Sequence, residues 1–543
     1  MRQADRLIFN TISNYALTFF TMATQLVMVP IVVHRLDKTG FGMAAMVLAP
    51  FGVFEVLTAS FGRALHRYIP KDMASGDTQA ASRTFTTAMA GYVLMGIVGA
   101  VSVWLAFDWL LADANANPAL LADGRRAMWI LVAWLVVGFP LWGYRKGLEA
   151  IQRYDLLGFS HGVAVLLRTL VVIVVFLMGW GSVTFFVTSH LVMLIVANVA
   201  CRFFLRRAAP TIHERPSLID RASIVLVGAF AAATLIGMVG EICGGYGYRV
   251  FVGKELGLEK LGVLAALFTL QQTMCRLIDE LTMAFSPAVS TMDAAGASKV
   301  VVKLLMTGTK SSTFVAAAMA VVPLAASAPF LRLWLGPEYQ QYDKLLYLLL
   351  LLTLLYCVGL TPTSVLFGLG RAKTTGTVML IRGLGGLLVS WAYVRFVSPN
   401  LFGAVACMYG VQYSGGLWML ASACRAVGVK ISVAAREVIV RPLVLAGIAA
   451  VATWGLLKLC GSDHYWKLAI GIIGGEAVLL ALIFAAGLDE EERARIHSFM
   501  SRAFSKVMGP RTGLHGVPVL ANDRGGSSGL PGPAPIVEDV NVR

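Results

Sequence analysis

Charged side chains set inside apolar runs are the residues of this chain that could do chemistry. Arg168 and Arg382 each stand in a run of roughly membrane-spanning length, with no acidic residue within four positions. An arginine in the middle of a bilayer costs roughly 2.5–3.5 kcal/mol on insertion scales, so such a residue is a functional hypothesis by default. A guanidinium stays charged, and its planar fork takes two phosphate oxygens at once. Either arginine therefore suits an oxyanion in a water-filled cavity; the alternatives are an interhelical ion pair and snorkelling to the cytoplasmic surface. Arg63, His66 and Arg67 end the second apolar run, as a basic mouth for an anionic headgroup or as an ordinary basic helix end. Glu55 is the only acidic residue of that run. A carboxyl removed from water can gain and lose a proton near neutrality, which makes it a candidate for ion coupling, against the alternative of a salt bridge to another helix. In QQTMCRLIDELTMAFSP (271–287), Arg276 precedes Asp279 and Glu280 by three and four residues. One carboxylate can neutralise it within a helix. The other is then a second coupling candidate, with Arg276 as its tuner.

The elements that position these residues follow from composition. Of 543 residues, 57% are hydrophobic and 14% charged, with a mean hydropathy of +0.74. Soluble domains carry about 25% charged residues, so this is a polytopic, all-α membrane protein. The net charge of +15 is spread in short clusters between apolar runs. That pattern fits cytoplasmic loops and excludes a nucleic-acid-binding stripe. The seven cysteines are scattered without a CxxC pair, so neither a metal site nor a disulfide framework is indicated, and no cofactor is expected. Arg2 and Arg6 precede an apolar stretch to about Val33 that is too long for a signal peptide. It reads as a first span entering from the cytoplasm.

At about 20 apolar residues per span, about 14 transmembrane helices are predicted, from 10–33 and 41–61 through 261–285 and 375–397 to 467–487. Every second loop is basic: Arg63 to Arg83, Arg145 to Arg153, Arg202 to Arg221, Lys299 and Lys303, Arg371 and Lys373, Arg425 to Arg436. An even count with alternating charge puts both termini in the cytoplasm. Two segments repeat: RLDKTGFG (35–42) leads into the second span and KELGLEKLG (254–262) into the eighth, with Gly42 and Gly262 in equivalent places. Arg168 and Arg382 lie at similar depth in the fifth and eleventh spans. The expected organisation is an N-terminal lobe of six helices (1–207), a homologous C-terminal lobe of six (208–425) and two further helices (426–487). An amphipathic cytoplasmic helix (488–508) and a disordered tail (509–543) would follow. Two even-numbered repeats share one orientation, with a site expected between them near the midplane. Asn10, Asn14, Thr18, Thr21 and Gln25 recur every three to four residues along the first span. Such a stripe faces either a cavity or a neighbouring helix. Glu241 lies amid Gly237, Gly240, Gly244, Gly245 and Gly247, a cluster suited to a helix break or to close packing.

Four stretches carry a family resemblance: HRLDKTGFG (34–42), GLEAIQRYDLLGF (147–159), FLRLWLGPEYQQYDKLL (330–346) and TPTSVLFGLGRAKTTGTVMLIR (361–382). In this order the chain resembles oligosaccharide flippases of the MOP exporter superfamily, the Wzx-like polysaccharide transporter branch. The resemblance covers most of residues 5–487. It implies a two-lobed alternating-access transporter of undecaprenyl-diphosphate-linked oligosaccharide across the bacterial inner membrane, for surface or exopolysaccharide synthesis. It also implies a cationic cavity, in which Arg168, Arg382, Arg63, Arg67, Asn14 and Gln25 would bind substrate. Glu55, Asp279, Glu280 and Arg276 would couple transport to a proton or sodium ion. Membrane lipids and a polysaccharide polymerase machinery are the expected partners. A lipid II flippase and a cation-coupled drug exporter share the implied fold. A membrane polymerase or ligase would ordinarily need an extramembrane active site, and the longest outer loop (108–126) holds three Asp but no His or Glu. No enzymatic activity is expected.

Overall fold

The computed structural model describes residues 3–112, 116–283, 285–294, 296–461, 464–490 and 492–494; for residues 3–19 and a few scattered others it describes the backbone alone. Among the described residues there are helices and no strands. In chain order the α-helices are α1 (Gln3–Ala74), α2 (Thr78–Leu105), α3 (Phe107–Leu111), α4 (Pro118–Ala150), α5 (Tyr154–Leu177), α6 (Val183–Ala208), α7 (Arg221–Gly244), α8 (Tyr246–Glu255), α9 (Leu258–Met283), α10 (Phe285–Ala294), α11 (Ser298–Ala325), α12 (Ser327–Trp334), α13 (Asp343–Val358), α14 (Leu360–Gly368), α15 (Ala372–Phe396), α16 (Leu401–Val427), α17 (Ile431–Ala435), α18 (Arg441–Cys460) and α19 (Tyr465–Leu482). Short polar side chains start them where the sequence leaves a loop: Asp77, Asn117, Ser182, Asp220 and Asn400 each accept a hydrogen bond from the backbone N–H three residues on.

Eleven of these helical segments are long and apolar enough to cross a membrane, or twelve if Arg221–Ala232 and Gly237–Glu255, bent by 50° to one another, are one broken span. The segment from α1 is really two. Asp37 stands at φ 59° inside it, and its carboxylate accepts from Gly40 N at 2.8 Å to start the second limb. Dividing α1 there, and adding the 27-residue α16, accounts for the expected count of about fourteen.

The repeat read from sequence has a matching backbone. Gly257, five residues before Gly262, sits at φ 88°, as Asp37 sits five before Gly42. The second limb of α1 and α9 then cross at the two glycines. A Cβ on Gly42 would lie 1.9 Å from the Leu258 carbonyl oxygen, and one on Gly262 would lie 1.8 Å from that of Lys38. Only glycine permits this approach. The same end is held by two lysines pointing in opposite directions. Lys38 donates to Glu338 O at 3.4 Å and lies over Tyr339 and Tyr342. Lys254 donates to Trp109 O and Ala112 O at 2.8 and 2.7 Å.

The glycine cluster around Glu241 does both things the sequence allowed. It spans the α7–α8 junction at Gly245, where the helix is interrupted, and Gly240 packs so closely on α15 that a Cβ would meet Met379 O at 2.1 Å. Helices α18 and α19 pack on α11 through Ala317, Val321, Ala449 and Leu479.

At the opposite end, basic loops that alternate in sequence come together on the 209–220 connection. Ser82 and Thr86 of α2 bond the backbone of Thr211, His213 and Arg215. Tyr144 and Arg206 hydrogen-bond the Glu214 carboxylate, with Arg202 at 3.0 Å. Burial pushes this carboxyl up, but the bonds from Tyr144 and Arg206 and the charge of Arg202 outweigh it and hold it below its ordinary value. Arg83 pairs with Asp220 at 3.5 Å. The connection is thus strapped to the helices before it.

From Leu488 the chain forms a separate unit, described over residues 488–490 and 492–494, where Arg493 N bonds Asp489 O at 2.9 Å. Most of the expected amphipathic helix (488–508), and the whole tail (509–543), lie outside the described residues.

Candidate functional site

A cavity of about 570 Å³ lies between α1, α4, α5, α6, α8 and α9. The first limb of α1 contributes Thr21 and Gln25, and the second limb Glu55. Helix α4 gives Trp142 and Arg145; α5 gives His161 and Arg168; α6 gives His190. Helix α8 gives Tyr246 and Arg249, while α9 gives Thr273, Arg276, Asp279 and Glu280. Six residues expected from sequence therefore meet on one cavity: Gln25, Glu55, Arg168, Arg276, Asp279 and Glu280. The described part of the polar stripe on the first span faces the cavity. The side chains of Asn10, Asn14 and Thr18 lie outside the described residues.

Four guanidinium groups line the cavity, and their partners differ. Arg145 is committed, its Nε 3.1 Å from the buried Glu149 carboxylate, which also holds Lys146 at 2.7 Å and His66 at 3.2 Å. Arg168 donates a long bond of 3.4 Å to Ser189 Oγ and lies 5.1 Å from the Phe186 ring centroid. Arg249 lies over the rings of Tyr246 and Phe268 at 4.9 and 5.9 Å, and its buried Nε has no hydrogen-bond partner among the described residues. Arg276 is exposed to the cavity. Among the described residues, no carboxylate lies within 4 Å of Arg168, Arg249 or Arg276.

That geometry corrects the expected pairing in QQTMCRLIDELTMAFSP. The spacing permits Arg276 to reach Asp279 or Glu280, yet the side chains diverge into the cavity and no ion pair forms between Arg276 and either among the described residues. Solvation in an open cavity replaces neutralisation within the helix. Glu55 is not in an ion pair within 4 Å among the described residues either. It faces the Tyr246 hydroxyl, whose ring packs over Gly52, one turn before it.

Three expected substrate residues do not line the cavity. Arg382 is buried at 7% exposure. Its stem lies against Gly415, where a Cβ would be 2.6 Å from Arg382 Cδ, and its guanidinium lies 5.4 Å from the Tyr356 ring centroid. It stands behind the cavity, within electrostatic reach of Asp279. The glycine of α16 and the ring of α13 accommodate a charge that sequence symmetry with Arg168 assigned to the cavity. Arg67 lies over Tyr68 and over Phe230 of α7, and Arg63 is exposed outside the cavity. Conversely, sequence reasoning missed Arg145, Arg249, His161 and His190. Arg145 reads as an ordinary loop cation, and Arg249 follows the glycine cluster at the α7–α8 break, so neither stands out as an intramembrane charge.

Among the described residues, no group of three or more His, Cys, Asp or Glu side chains is placed to hold a metal ion. Among the described residues, three guanidinium groups with no carboxylate within 4 Å and the carboxyls of Glu55, Asp279 and Glu280 thus line one cavity.

The fold is similar to that of solved membrane transporters. Two solved structures align at a TM-score of 0.65: an inward-facing multidrug resistance MATE family transporter of the MOP superfamily (11% identity, 77% of this chain and 98% of that one) and the lipid II flippase MurJ in an inward closed conformation (12% identity, 88% of this chain and 98% of that one). An outward-facing MATE transporter aligns at 0.57, with 13% identity over 77% of this chain and 95% of that one. In sequence, the chain is 19% identical over 403 residues to the uncharacterized membrane protein EpsK of Bacillus subtilis (strain 168), covering 72% of this chain and 76% of that protein. No family model matches the chain.

Proposed function

We propose that the chain is a flippase that carries a lipid-linked oligosaccharide across the inner membrane by alternating access, in the manner of the Wzx-like branch. The observation that carries this reading is the set of Arg168, Arg249 and Arg276, which line one cavity with no carboxylate within 4 Å among the described residues. A diphosphate brings the negative charge and the paired acceptor oxygens that these three guanidinium groups lack among the described residues. Loop charge puts the strapped, basic end in the cytoplasm with both termini, and the Gly42–Gly262 crossing at the outer face. On this reading the cavity is closed toward the outside and would take its substrate from the cytoplasmic side. Residues 1–207 and 208–425 are the two lobes on this reading. Glu55, Asp279 and Glu280 would carry a proton or sodium ion on the return step, with a polysaccharide polymerase acting on the delivered product.

The test is to delete the gene and identify which undecaprenyl-linked intermediate accumulates in the inner leaflet. An oligosaccharide intermediate is expected. The MurJ-like fold favours lipid II as the second reading, and accumulated lipid II would establish it. Accumulation of neither overturns the flippase class.

A further inference from the structure

Two of the stretches singled out in sequence, HRLDKTGFG and FLRLWLGPEYQQYDKLL, lie about 300 residues apart and meet in space. Between them is a second cavity of about 330 Å³, separate from the central one, lined by Pro30, Ile31, Arg35, Leu177, Leu333 and Trp334 among others. It lies where the first limb of α1, α5 and α12 all end, beside the lysine-held crossing. Its walls are apolar, and the Trp334 indole is occupied in donating to Leu26 O at 2.9 Å. Charge is confined to its rim. His34 and Arg35 are exposed there, with Arg332 exposed on α12 nearby. The Arg35 guanidinium makes one long bond, 3.4 Å to Leu177 O, and no ion pair within 4 Å among the described residues. The Glu338 carboxylate lies beside Gly336, which also lines the cavity, so the rim carries an acidic group as well as Arg35. Trp109, Trp180 and Trp466 stand out at 57%, 72% and 61% exposure close to helix ends, as tryptophans do at the headgroup level of a bilayer.

We infer that this cleft is a binding site for an anionic phospholipid, with the phosphate on Arg35 and an acyl chain against Ile31, Leu333 and Trp334. An apolar slot with a cation at its mouth matches both halves of such a molecule, and a soluble anion would use only the rim. The occupant would touch both α1 and α12, tying the two halves together at this end. This site is independent of what the central cavity carries.

The experiment uses the full chain in mild detergent with phosphatidylglycerol and phosphatidylcholine of matched chains in equal amounts, and native mass spectrometry to count retained lipid. Wild type is expected to retain phosphatidylglycerol preferentially. Arg35→Gln should weaken that retention at least about tenfold, as expected for losing a charge-assisted hydrogen bond, and Arg35→Lys should restore most of it. Leu333→Trp, which fills the slot, should displace both lipids. Size-exclusion profiles check that each variant remains folded, and Arg35 is exposed enough that its loss should not unfold the chain. Equal retention of the two lipids by wild type, or undiminished phosphatidylglycerol on folded Arg35→Gln, overturns the inference. Undiminished retention on Leu333→Trp places the lipid elsewhere and overturns it equally.

Discussion

Replacing Gly42 with alanine puts a methyl carbon where the Leu258 carbonyl oxygen leaves no room. The 1.9 Å separation falls roughly 1.4 Å short of the about 3.3 Å at which a carbon and a carbonyl oxygen rest in contact. Backbone cannot swing aside as a side chain can, so the second limb of α1 and α9 must part. Overpacking of this kind costs about 1–3 kcal/mol, which is a shift of about 5- to 150-fold in a two-state equilibrium. Because the clash exists only where the helices cross, the cost falls on the outward-closed arrangement. The assay is a spin-label distance across that end, between Ala119→Cys in the first turn of α4 and Pro399→Cys before α16, both exposed, with the exposed Cys460 changed to serine. Gly42→Ala should add a longer-distance population, and Gly262→Ala, facing Lys38 O at 1.8 Å, should do the same. Gly447→Ala, whose Cβ would meet nothing within 4 Å, is the control. An unchanged distance distribution in folded Gly42→Ala protein would refute the reading of this crossing as the outer closure.

Three further outcomes are expected. Arg168→Ala and Arg249→Ala should each abolish surface polysaccharide at normal membrane insertion, whereas Arg382→Ala should lower thermal stability before it lowers transport; normal polysaccharide in the Arg168/Arg249 double variant would contradict the cavity assignment. Glu149→Gln leaves Arg145, Lys146 and His66 without their shared buried carboxylate and should cost about 3–5 kcal/mol, read as a lowered Tm in detergent. Glu214 is held below its ordinary value, so its contribution to the strap is complete above the unfolded carboxylate range and fades as pH falls through the lower, folded value. Glu214→Gln at neutral pH should therefore speed amide hydrogen exchange at His213 and Arg215, whose N–H groups bond Ser82 and Thr86, and wild type should approach the variant only in acid.

The fold was legible because its signals are local and cumulative. Apolar length and two glycines in equivalent places each survive being read without a partner, and the structure bears out both, with helices over the apolar runs and Gly42 and Gly262 at one crossing. Asp37 shows the limit of such reading. As a short loop residue it marks the break between spans, yet only its positive φ, shared with Gly257, shows that the two halves turn the same corner. The pairing of charges was less legible, since it depends on which helix stands opposite. Arg276 and Asp279 are spaced to meet on one helix, yet both line the cavity and no ion pair joins them among the described residues.

Arg168 and Arg382 make the same point from the other side. Both are lone arginines at matched depth in matched spans, and symmetry alone would give them one role. Arg168 reaches the cavity because Phe186 and Ser189 of α6 leave its head uncovered on that side. Arg382 does not, because Gly415 opens a slot against α16 and Tyr356 closes it over the guanidinium. The third cavity guanidinium without a carboxylate within 4 Å among the described residues comes instead from Arg249, on the short helix after the α7–α8 junction. A repeat fixes where helices run, while small residues on the neighbouring helix decide which way a long side chain lies. Substituting Gly415 with alanine tests that division. It should push Arg382 off α16 and destabilise the second lobe, while leaving the Arg168 side of the cavity and its anion affinity intact.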